Sequence, residues 1–146
     1  MLLLMISRYY LEQERMFKRS EDRIRQMAYY DDLTGLPNRR FFREQLDAAL
    51  EDQRGIVALL SVDIDRFRLF NDTLGHDFGD LILLQSAERL TRCIAEGDVA
   101  ARMEGDEFIL LLRNRNHLEE IEAIAGRIHQ IFDSPFIYPD YKLHTT

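Results

Sequence analysis

The fold is decided by one stretch of sequence, Arg102-Met103-Glu104-Gly105-Asp106-Glu107-Phe108, which continues as Ile109-Leu110-Leu111-Leu112. This stretch predicts a strand, a tight turn and a second strand, with the carboxylates of Asp106 and Glu107 just past the turn. About forty residues upstream, an apolar run ends in Asp63-Ile64-Asp65. Acidic side chains at the ends of neighbouring strands can share a divalent cation, and such a cation can bind a nucleoside triphosphate. The sequence therefore predicts a cation site where these two strands end.

The composition predicts one domain with a short appendage. The chain has 146 residues, and 46% of them are hydrophobic, which is enough for a real core. Its single cysteine, Cys93, excludes an internal disulfide and favours a structural thiol in a reducing compartment. The four histidines are scattered along the chain, so the sequence carries no zinc-type cluster of Cys and His.

Charge is distributed unevenly along the chain. Residues 1–30 carry a net charge of +2 and residues 31–146 carry −9, which gives −7 in total. A surface that binds nucleic acid needs a basic face, so the acidic body argues against a nucleic-acid partner. A nucleotide remains compatible with this body if a metal ion supplies the positive charge.

The first thirty residues predict a separate helix. Residues 6–30 contain no Gly or Pro and are rich in charge. Two rows of residues recur every seven positions, the second of them half polar: Leu3, Tyr10, Phe17 and Ile24, and Ile6, Gln13, Ser20 and Met27. This weak heptad pattern favours a coiled-coil connector over residues 1–30 that joins two copies of the chain. A helix docked on its own domain is the alternative.

The apolar segment Leu2–Ile6 is too short to span a bilayer, and it lacks the charged leader and cleavage site of a signal peptide. Two interpretations stay open. We favour the start of an amphipathic helix, and the alternative is the stump of an upstream membrane or sensor segment. We therefore expect a cytoplasmic protein, tethered near the inner membrane only under the second interpretation.

Residues 31–146 predict a second unit in which helices and strands are mixed. Pro37 and the N-cap residue Asn38 separate this unit from the first helix. Predicted helices cover 39–52, 66–74 (a short turn), 80–95 and 118–132, and predicted strands cover 56–62, 99–103, 106–112, 136–138 and 141–146. The apolar run 56–62 is typical of a strand buried on both faces, and Gly75–Asp80 of a polar loop.

The order of these elements favours an α/β fold of the α+β sandwich type. Its sheet is expected to be largely antiparallel, flanked by helices and close to a ferredoxin-like plan. The long helix of residues 1–30 precedes it.

Three motifs of the second unit occur in a recognisable order. They are DLTGLPNRR at Asp32–Arg40, DIDRFRLFNDTLGHDFGD at Asp63–Asp80, and ARMEGDEF at Ala101–Phe108. Together they resemble the signatures of GGDEF domains, the diguanylate cyclase family, over about residues 30 to 146. The resemblance implies a fold related to the palm of nucleotidyl cyclases and polymerases. It also implies an activity in which two domains, each holding one GTP, form cyclic di-GMP and release pyrophosphate.

The resemblance assigns the acidic residues to a metal centre. Asp63, Asp106 and the main-chain carbonyl of Ile64 would bind Mg²⁺, with Mn²⁺ as an alternative, because hard cations take oxygen ligands. Asp106 also stands where the family has its general base, and Glu107 would lie beside it as a further catalytic residue. Taken singly, Asp63 could be a helix N-cap and Asp106–Glu107 an exposed hairpin edge. Their joint spacing favours the metal centre.

The resemblance also assigns residues to the substrate. Asn71 and Asp80 match positions that hydrogen-bond the guanine edge, and His76 and Gly105 are placed with them as substrate-binding residues. Turn chemistry alone is the alternative for the Asn and Asp residues. Arg68 stands where the family usually has Lys, and it keeps a positive charge that can stabilise the transition state, with a different shape and reach.

Glu104 replaces the first glycine of the family signature, which reads EGDEF here. In a type I′ turn, Glu104 would need a positive φ, at a cost of roughly 1 kcal/mol. In a type I turn followed by a glycine bulge, only Gly105 would need it. The larger expected effect is repulsion between the Glu104 carboxylate and a triphosphate, which predicts weakened GTP binding or turnover rather than a lost fold.

Two further departures concern regulation and completeness. The family's product-inhibition motif, Arg-x-x-Asp, reads Ala95-Glu96-Gly97-Asp98 here, so feedback by cyclic di-GMP at this position is not expected. Relatives continue beyond residue 146 with a strand and a last helix. The resemblance therefore implies a C-terminally truncated domain with an open sheet edge.

Two functions follow from the sequence. The first is a diguanylate cyclase domain that acts as a homodimer with GTP and Mg²⁺. The alternative is a degenerate, catalytically weak GTP-binding domain that regulates a larger cyclic di-GMP signalling protein, for example one with a phosphodiesterase domain. Both imply further domains in the parent protein.

Overall fold

The protein is described here by a computed structural model, which covers residues 1–52, 54–138 and 141–143. Its helices are α1 (Leu2–Tyr29), α2 (Arg39–Asp52), α3 (Phe67–Leu74), α4 (His76–Cys93) and α5 (Leu118–Phe132). Its strands are β1 (Ile56–Asp63), β2 (Val99–Glu104), β3 (Glu107–Arg115), β4 (Phe136–Tyr138) and β5 (Tyr141–Leu143). The predicted last strand, 141–146, is therefore observed only to Leu143, because 144–146 lie outside the described residues.

The main sheet is antiparallel, with the strand order β1-β3-β2. One face carries the larger core, in which α4 and α5 cover β3 side chains such as Phe108, Leu110 and Leu112. The other face is covered by α2, which packs Phe42 and Ala49 against β2 and β3. Strands β4 and β5 pair separately as a short hairpin. The predicted α+β sandwich with an antiparallel sheet and a preceding helix is confirmed.

Strand β1 is an edge strand among the described residues, and its predicted burial on both faces is wrong. Ala58, Leu60 and Val62 pack against the larger core, whereas Leu59 is 50% exposed and Ser61 and Asp63 are exposed as well. The physical reason is that α2 lies over β2 and β3 and leaves the outer end of β1 uncovered. Apolar residues alone therefore overstated how deeply this strand is buried.

The predicted loop Gly75–Asp80 is also wrong, because α4 already begins at His76. Gly75 has φ +93°, which ends α3 and allows the chain to turn directly into the next helix. Phe78 and Ile82, four positions apart, are buried on one face of α4. The polar residues His76, Asp77 and Asp80 are exposed on the same helix. The two glycines of this segment concealed its helical character.

Helix α1 stands apart from the body and buries none of its residues. Its contact with the body is through α2, and the joint between them depends on Asn38. Nδ2 of Asn38 donates to the Ala28 carbonyl at 2.9 Å, and its Oδ1 accepts from the Phe41 N–H at 3.1 Å. The predicted N-cap is thus confirmed, and the same side chain ties the end of α1 to the start of α2.

The seven-residue rows of α1 are exposed, including Leu3, Tyr10, Phe17 and Ile24. A helix docked on its own domain would have buried one of these rows, and α1 buries neither. Across the described residues, no helix combines the length and the apolar character that a membrane crossing requires.

Candidate functional site

The signature hairpin places an acidic turn at one end of the sheet. Gly105 and Asp106 form the turn between β2 and β3, and Gly105 has φ +56°. Outside glycine, the described residues with positive φ are Arg66 and Asn114, so Glu104 avoids the strained conformation of a type I′ turn. Pairing slips between Arg102 and Glu104, as in a bulge. Of the two predicted turns, the observed backbone agrees with the one in which only glycine needs a positive φ.

The side chains of Asp63 and Asp106 meet at this end of the sheet. Burial raises the pKa of Asp106 above its ordinary value of 3.8, and a hydrogen bond with Asp63 and the charge of Asp63 raise it further. The positive charge of Arg68 lowers the pKa of Asp106, so the guanidinium of Arg68 lies near this carboxyl. Three residues predicted for the metal and catalytic roles are therefore brought together.

The register adds a third acid to the same end of the sheet. Asp63 lies directly opposite Glu107 in the β1–β3 pair, so the two side chains lie on the same face. Acidic groups opposite each other are destabilising unless a cation or a proton separates them. This end of the sheet is therefore electrostatically suited to a cation.

The oxygen ligands at this end of the sheet fit an Mg²⁺ ion that is bound by a small number of protein groups. Among the described residues, no group of three or more His, Cys, Asp and Glu side chains is arranged to hold a metal ion. Mg²⁺ usually takes one or two carboxylates and completes its shell with water and substrate phosphates, which suits the pair Asp63 and Asp106. The Ile64 carbonyl accepts from the Phe67 N–H at 3.3 Å and retains a second lone pair.

The residues predicted to bind guanine lie on α3 and α4. Asn71 is half-buried in α3, whereas His76 and Asp80 are exposed in the first turns of α4. The Oδ1 atom of Asn71 is buried and has no hydrogen-bond partner among the described residues. Within the described ranges, no hydrogen bond or ion pair joins these three side chains to Asp63 or Asp106. They lie on two helices that contact each other, and we refer to them as the second group of residues.

A partly buried ion pair between Arg102 and Asp31, which the sequence did not indicate, supports the hairpin turn. Arg102 donates from Nη1 to both carboxylate oxygens of Asp31, at 3.2 and 3.1 Å, and from Nε to the Gly105 carbonyl at 2.9 Å. The N–H and hydroxyl of Thr34 donate to the same carboxylate, each at 2.8 Å. The signal available in sequence was the presence of Asp31 and Arg102 within or beside two motifs, without any hint that they pair.

Burial by itself raises the pKa of Asp31, but its donors outweigh that effect. The N–H and hydroxyl of Thr34, followed by the Arg102 guanidinium, hold the pKa below its usual value of 3.8. Asp31 therefore stays ionised and keeps Arg102 oriented toward the Gly105 carbonyl. The loop after α1 is joined in this way to the turn that carries Asp106.

Glu104 lies at the outer rim of the turn. Its carboxylate is 3.7 Å from Nη2 of Arg39 at the start of α2, and its side chain is 84% exposed. An exposed pair of this kind is weak. The pair orients the carboxylate toward α2.

Asp98, the remaining Asp of the altered Arg-x-x-Asp position, is fully engaged inside the protein. Its side chain is 1% exposed and pairs with Arg115. It also accepts from the Ala95 N–H at 3.0 Å and from the Arg113 N–H at 3.1 Å. The carboxylate therefore anchors the turn into β2 and has no free face for a ligand.

Comparison with protein-family models matches residues 28–146 to the family described as diguanylate cyclase, GGDEF domain. Among curated proteins, the signaling protein YkoW of Bacillus subtilis (strain 168) is 36% identical over 132 residues, covering 88% of this chain and 16% of YkoW. Diguanylate cyclase TpbB of Pseudomonas aeruginosa is 45% identical over 116 residues, covering 77% of this chain and 27% of TpbB. The chain spans 15–35% of the length of the first curated relatives it matches.

Among solved structures, the coiled coil and GGDEF domain of DgcB from Caulobacter crescentus, in complex with c-di-GMP, superposes with a TM-score of 0.83. The identity is 26%, and the match covers 98% of this chain and 76% of that one, so it includes α1. Other curated relatives are named as a cyclic di-GMP phosphodiesterase and as a bifunctional cyclase and phosphodiesterase.

Proposed function

Since the chain belongs to the GGDEF domain family of diguanylate cyclases, we propose that it binds GTP with Mg²⁺ and condenses two GTP molecules into cyclic di-GMP. The observation that carries the proposal is the strand register that sets Asp63 opposite Glu107, the residue after Asp106, so that acidic residues of β1 and of the hairpin lie at one end of the sheet. The raised pKa of Asp106, with Asp63 and Arg68 among its causes, agrees with this placement. Neighbouring acids repel each other, and a divalent cation with triphosphate oxygens around it would remove that repulsion. Mn²⁺ satisfies the same ligands and is the alternative ion.

Each residue has a distinct part in the proposed reaction. Asp63, Asp106 and the Ile64 carbonyl would hold the divalent cation, which would neutralise phosphate charge and lower the pKa of the attacking 3′-hydroxyl. The Asp106 carboxylate would accept the proton of that hydroxyl, the role that its place in the family signature implies. Arg68 stabilises the negative charge that develops on the α-phosphate as pyrophosphate leaves. Glu107, which pairs with Asp63 across β1 and β3, would add a third carboxylate next to the residues that hold the cation.

The guanine base of GTP would be held by the second group of residues, Asn71, His76 and Asp80. Asp80 can accept from guanine N1–H and the 2-amino group, and the Asn71 amide can donate and accept. His76 lies beside them at the start of α4, and Gly105 keeps the turn open for close approach of the phosphates. These roles orient GTP and would distinguish guanine from adenine.

The reaction needs two domains facing each other, so we further propose a homodimer held by residues 1–30 as a coiled coil, with 31–146 as the GGDEF unit. The support is the exposure of both seven-residue rows of α1, which leaves their apolar members available to a second copy. Sedimentation of the 146-residue chain measures this directly. Replacing Phe17 with Glu should shift the chain toward monomer, whereas an unchanged mass would contradict the coiled coil.

The proposed chemistry is tested by titrating GTP in the presence of Mg²⁺ and measuring binding and product together. Asp63→Asn and Asp106→Asn should each abolish product, because each removes one of the two carboxylates. Asp47→Asn, an exposed acid on α2, is the matched control and should leave both measurements unchanged. Full product formation by either site variant would overturn the proposal.

A second function is favoured by Glu104, which puts an acid at the turn that carries Asp106. Under this alternative, the domain binds GTP and regulates attached domains without turning GTP over quickly. Tight Mg²⁺-dependent GTP binding with no cyclic di-GMP would select it. We expect slow turnover from this 146-residue chain, and rapid product formation would exclude the regulatory alternative.

A further inference from the structure

Gly79 occupies an unusual place in α4. It is buried near the start of the helix, where local propensity disfavours glycine. A Cβ atom at this position would lie 1.7 Å from Oδ1, 2.8 Å from Cγ and 3.2 Å from Nδ2 of Asn71. The amide of Asn71 therefore overlies Gly79, and no residue with a side chain fits there while the amide keeps its place.

The amide held in this way is incompletely satisfied. Oδ1 of Asn71 is buried and lacks a hydrogen-bond partner among the described residues. Native proteins rarely leave a buried acceptor unpaired, and such exceptions ask for an explanation. Asn in a helix interior and Gly in a helix interior are both locally unfavourable choices, and here they face each other. Such conflicts with local preference are concentrated at functional sites.

We propose that Gly79 is a positioning residue for base selectivity. Because it has no side chain, it leaves room for the Asn71 amide to lie against α4, one residue before Asp80, and this placement lets the amide hydrogen-bond the edge of a guanine base. The inference rests on the proposed function, since it names the residue that orients the proposed base-reading amide. The competing explanation is that Gly79 only allows α3 and α4 to pack closely.

Four variants separate the two explanations: Gly79→Ala, Asn71→Ala, the double variant, and Gly126→Ala as a control. Gly126 is an exposed glycine inside α5 with open space around its Cβ position, so it reproduces the change in helix propensity without the clash. The affinities for GTP and ATP are measured by calorimetry with Mg²⁺, and the unfolding midpoint in urea is measured for each variant.

If Gly79 acts through Asn71, Gly79→Ala weakens GTP binding by about tenfold, the size of one lost hydrogen bond, and leaves ATP binding nearly unchanged. Asn71→Ala gives the same loss of selectivity, and the double variant is no less selective than Asn71→Ala. The double variant also unfolds at a higher urea concentration than Gly79→Ala, because removal of the amide relieves the clash. Gly126→Ala keeps the original selectivity.

Wild-type selectivity in Gly79→Ala overturns the inference and leaves the proposed function intact. If Gly79→Ala does not fold, the comparison of selectivity between the double variant and Asn71→Ala tests the inference. A further loss of selectivity in the double variant would show an effect independent of Asn71 and would also overturn it. If the wild-type chain binds no GTP with Mg²⁺, the proposed function itself fails and the selectivity role falls with it.

Discussion

Strand β2 has an aspartate near each end, and the two differ in their burial and in their hydrogen-bond partners. Asp98, before the strand, is almost completely buried and is surrounded by donors from Ala95, Arg113 and Arg115. Asp106, after the strand, is partly exposed and faces a second acid, Asp63. The first arrangement satisfies a charge inside the fold, whereas the second leaves a carboxylate facing another acid, as the proposed cation site requires. Burial and donors, rather than residue type, distinguish the structural carboxylate from the one that we propose to be functional.

The largest effect on stability is expected at Asp98, the aspartate whose hydrogen bonds are satisfied. Asp98→Ala would leave Arg115 buried without its partner and two N–H groups without an acceptor, which should lower the free energy of unfolding by about 3 kcal/mol. Urea denaturation measures this. Glu88→Ala is the matched control, because it removes an exposed partner of Arg92 and should cost little. Equal effects of the two substitutions would erase the contrast between the ends of β2.

The third carboxylate, Asp31, lies between these extremes. Arg102→Lys removes the forked contact with Asp31 and the bond to the Gly105 carbonyl, and should lower the free energy of unfolding by about 1–2 kcal/mol. The pKa of Asp31 is lowered, so its contribution is present above 3.8 and is lost as pH falls through the folded-state pKa. The difference between wild type and variant should therefore shrink in acid. A difference that is independent of pH would exclude Asp31 as the partner that matters.

At Asp106, which faces a second acid, removal of the negative charge should stabilise the fold. The pKa of Asp106 is raised in the folded state, so ionisation penalises folding at pH values above that pKa and carries no penalty below the ordinary value of 3.8. Asp106→Asn should therefore raise the melting temperature by a few degrees at neutral pH, roughly 2–4 °C, and by nothing in strong acid. Mg²⁺ should stabilise the wild type more than the variant. A lower melting temperature for Asp106→Asn at neutral pH would contradict the predicted repulsion.

The smallest effect on stability is expected at Glu104. Glu104→Gly loses only an exposed contact with Arg39 and should change the melting temperature by less than about 2 °C. The same change should raise the rate of cyclic di-GMP formation, because it removes an acid from the edge of the proposed phosphate site. Arg39→Ala is the informative companion: it frees Glu104 and should lower GTP affinity. An unchanged rate in Glu104→Gly would show that this glutamate does not disturb the reaction.

Local signals in the sequence were sufficient for much of the fold. Helices α2 and α5 begin and end where periodicity and caps predict, because their apolar faces and the Asn38 cap act over a few residues. The start of α4 was mispredicted because two glycines and several polar residues are also typical of a loop. The burial of β1 was overestimated, since the position of α2 over the sheet depends on tertiary packing that no run of apolar residues reveals.

The candidate site shows the same division. The nearness of Asp63 and Asp106 follows from their motifs, and the structure places both at the same end of the sheet. The Asp31–Arg102 pair and the Asn71–Gly79 contact could not be predicted, because each depends on the relative placement of two elements. A charged residue in a motif indicates that it matters, but only packing identifies its partner.

The exposed helix α1 is anchored to the body mainly through the Asn38 joint, and this gives it the mechanics of a lever. At 1.5 Å per residue its 28 residues extend about 42 Å. A swing of about 5° at the joint therefore moves the distal tip by about 4 Å. Conversely, a shift of one side chain's width at the N-terminal tip of α1 would rotate the helix by only a few degrees at the Asn38 joint.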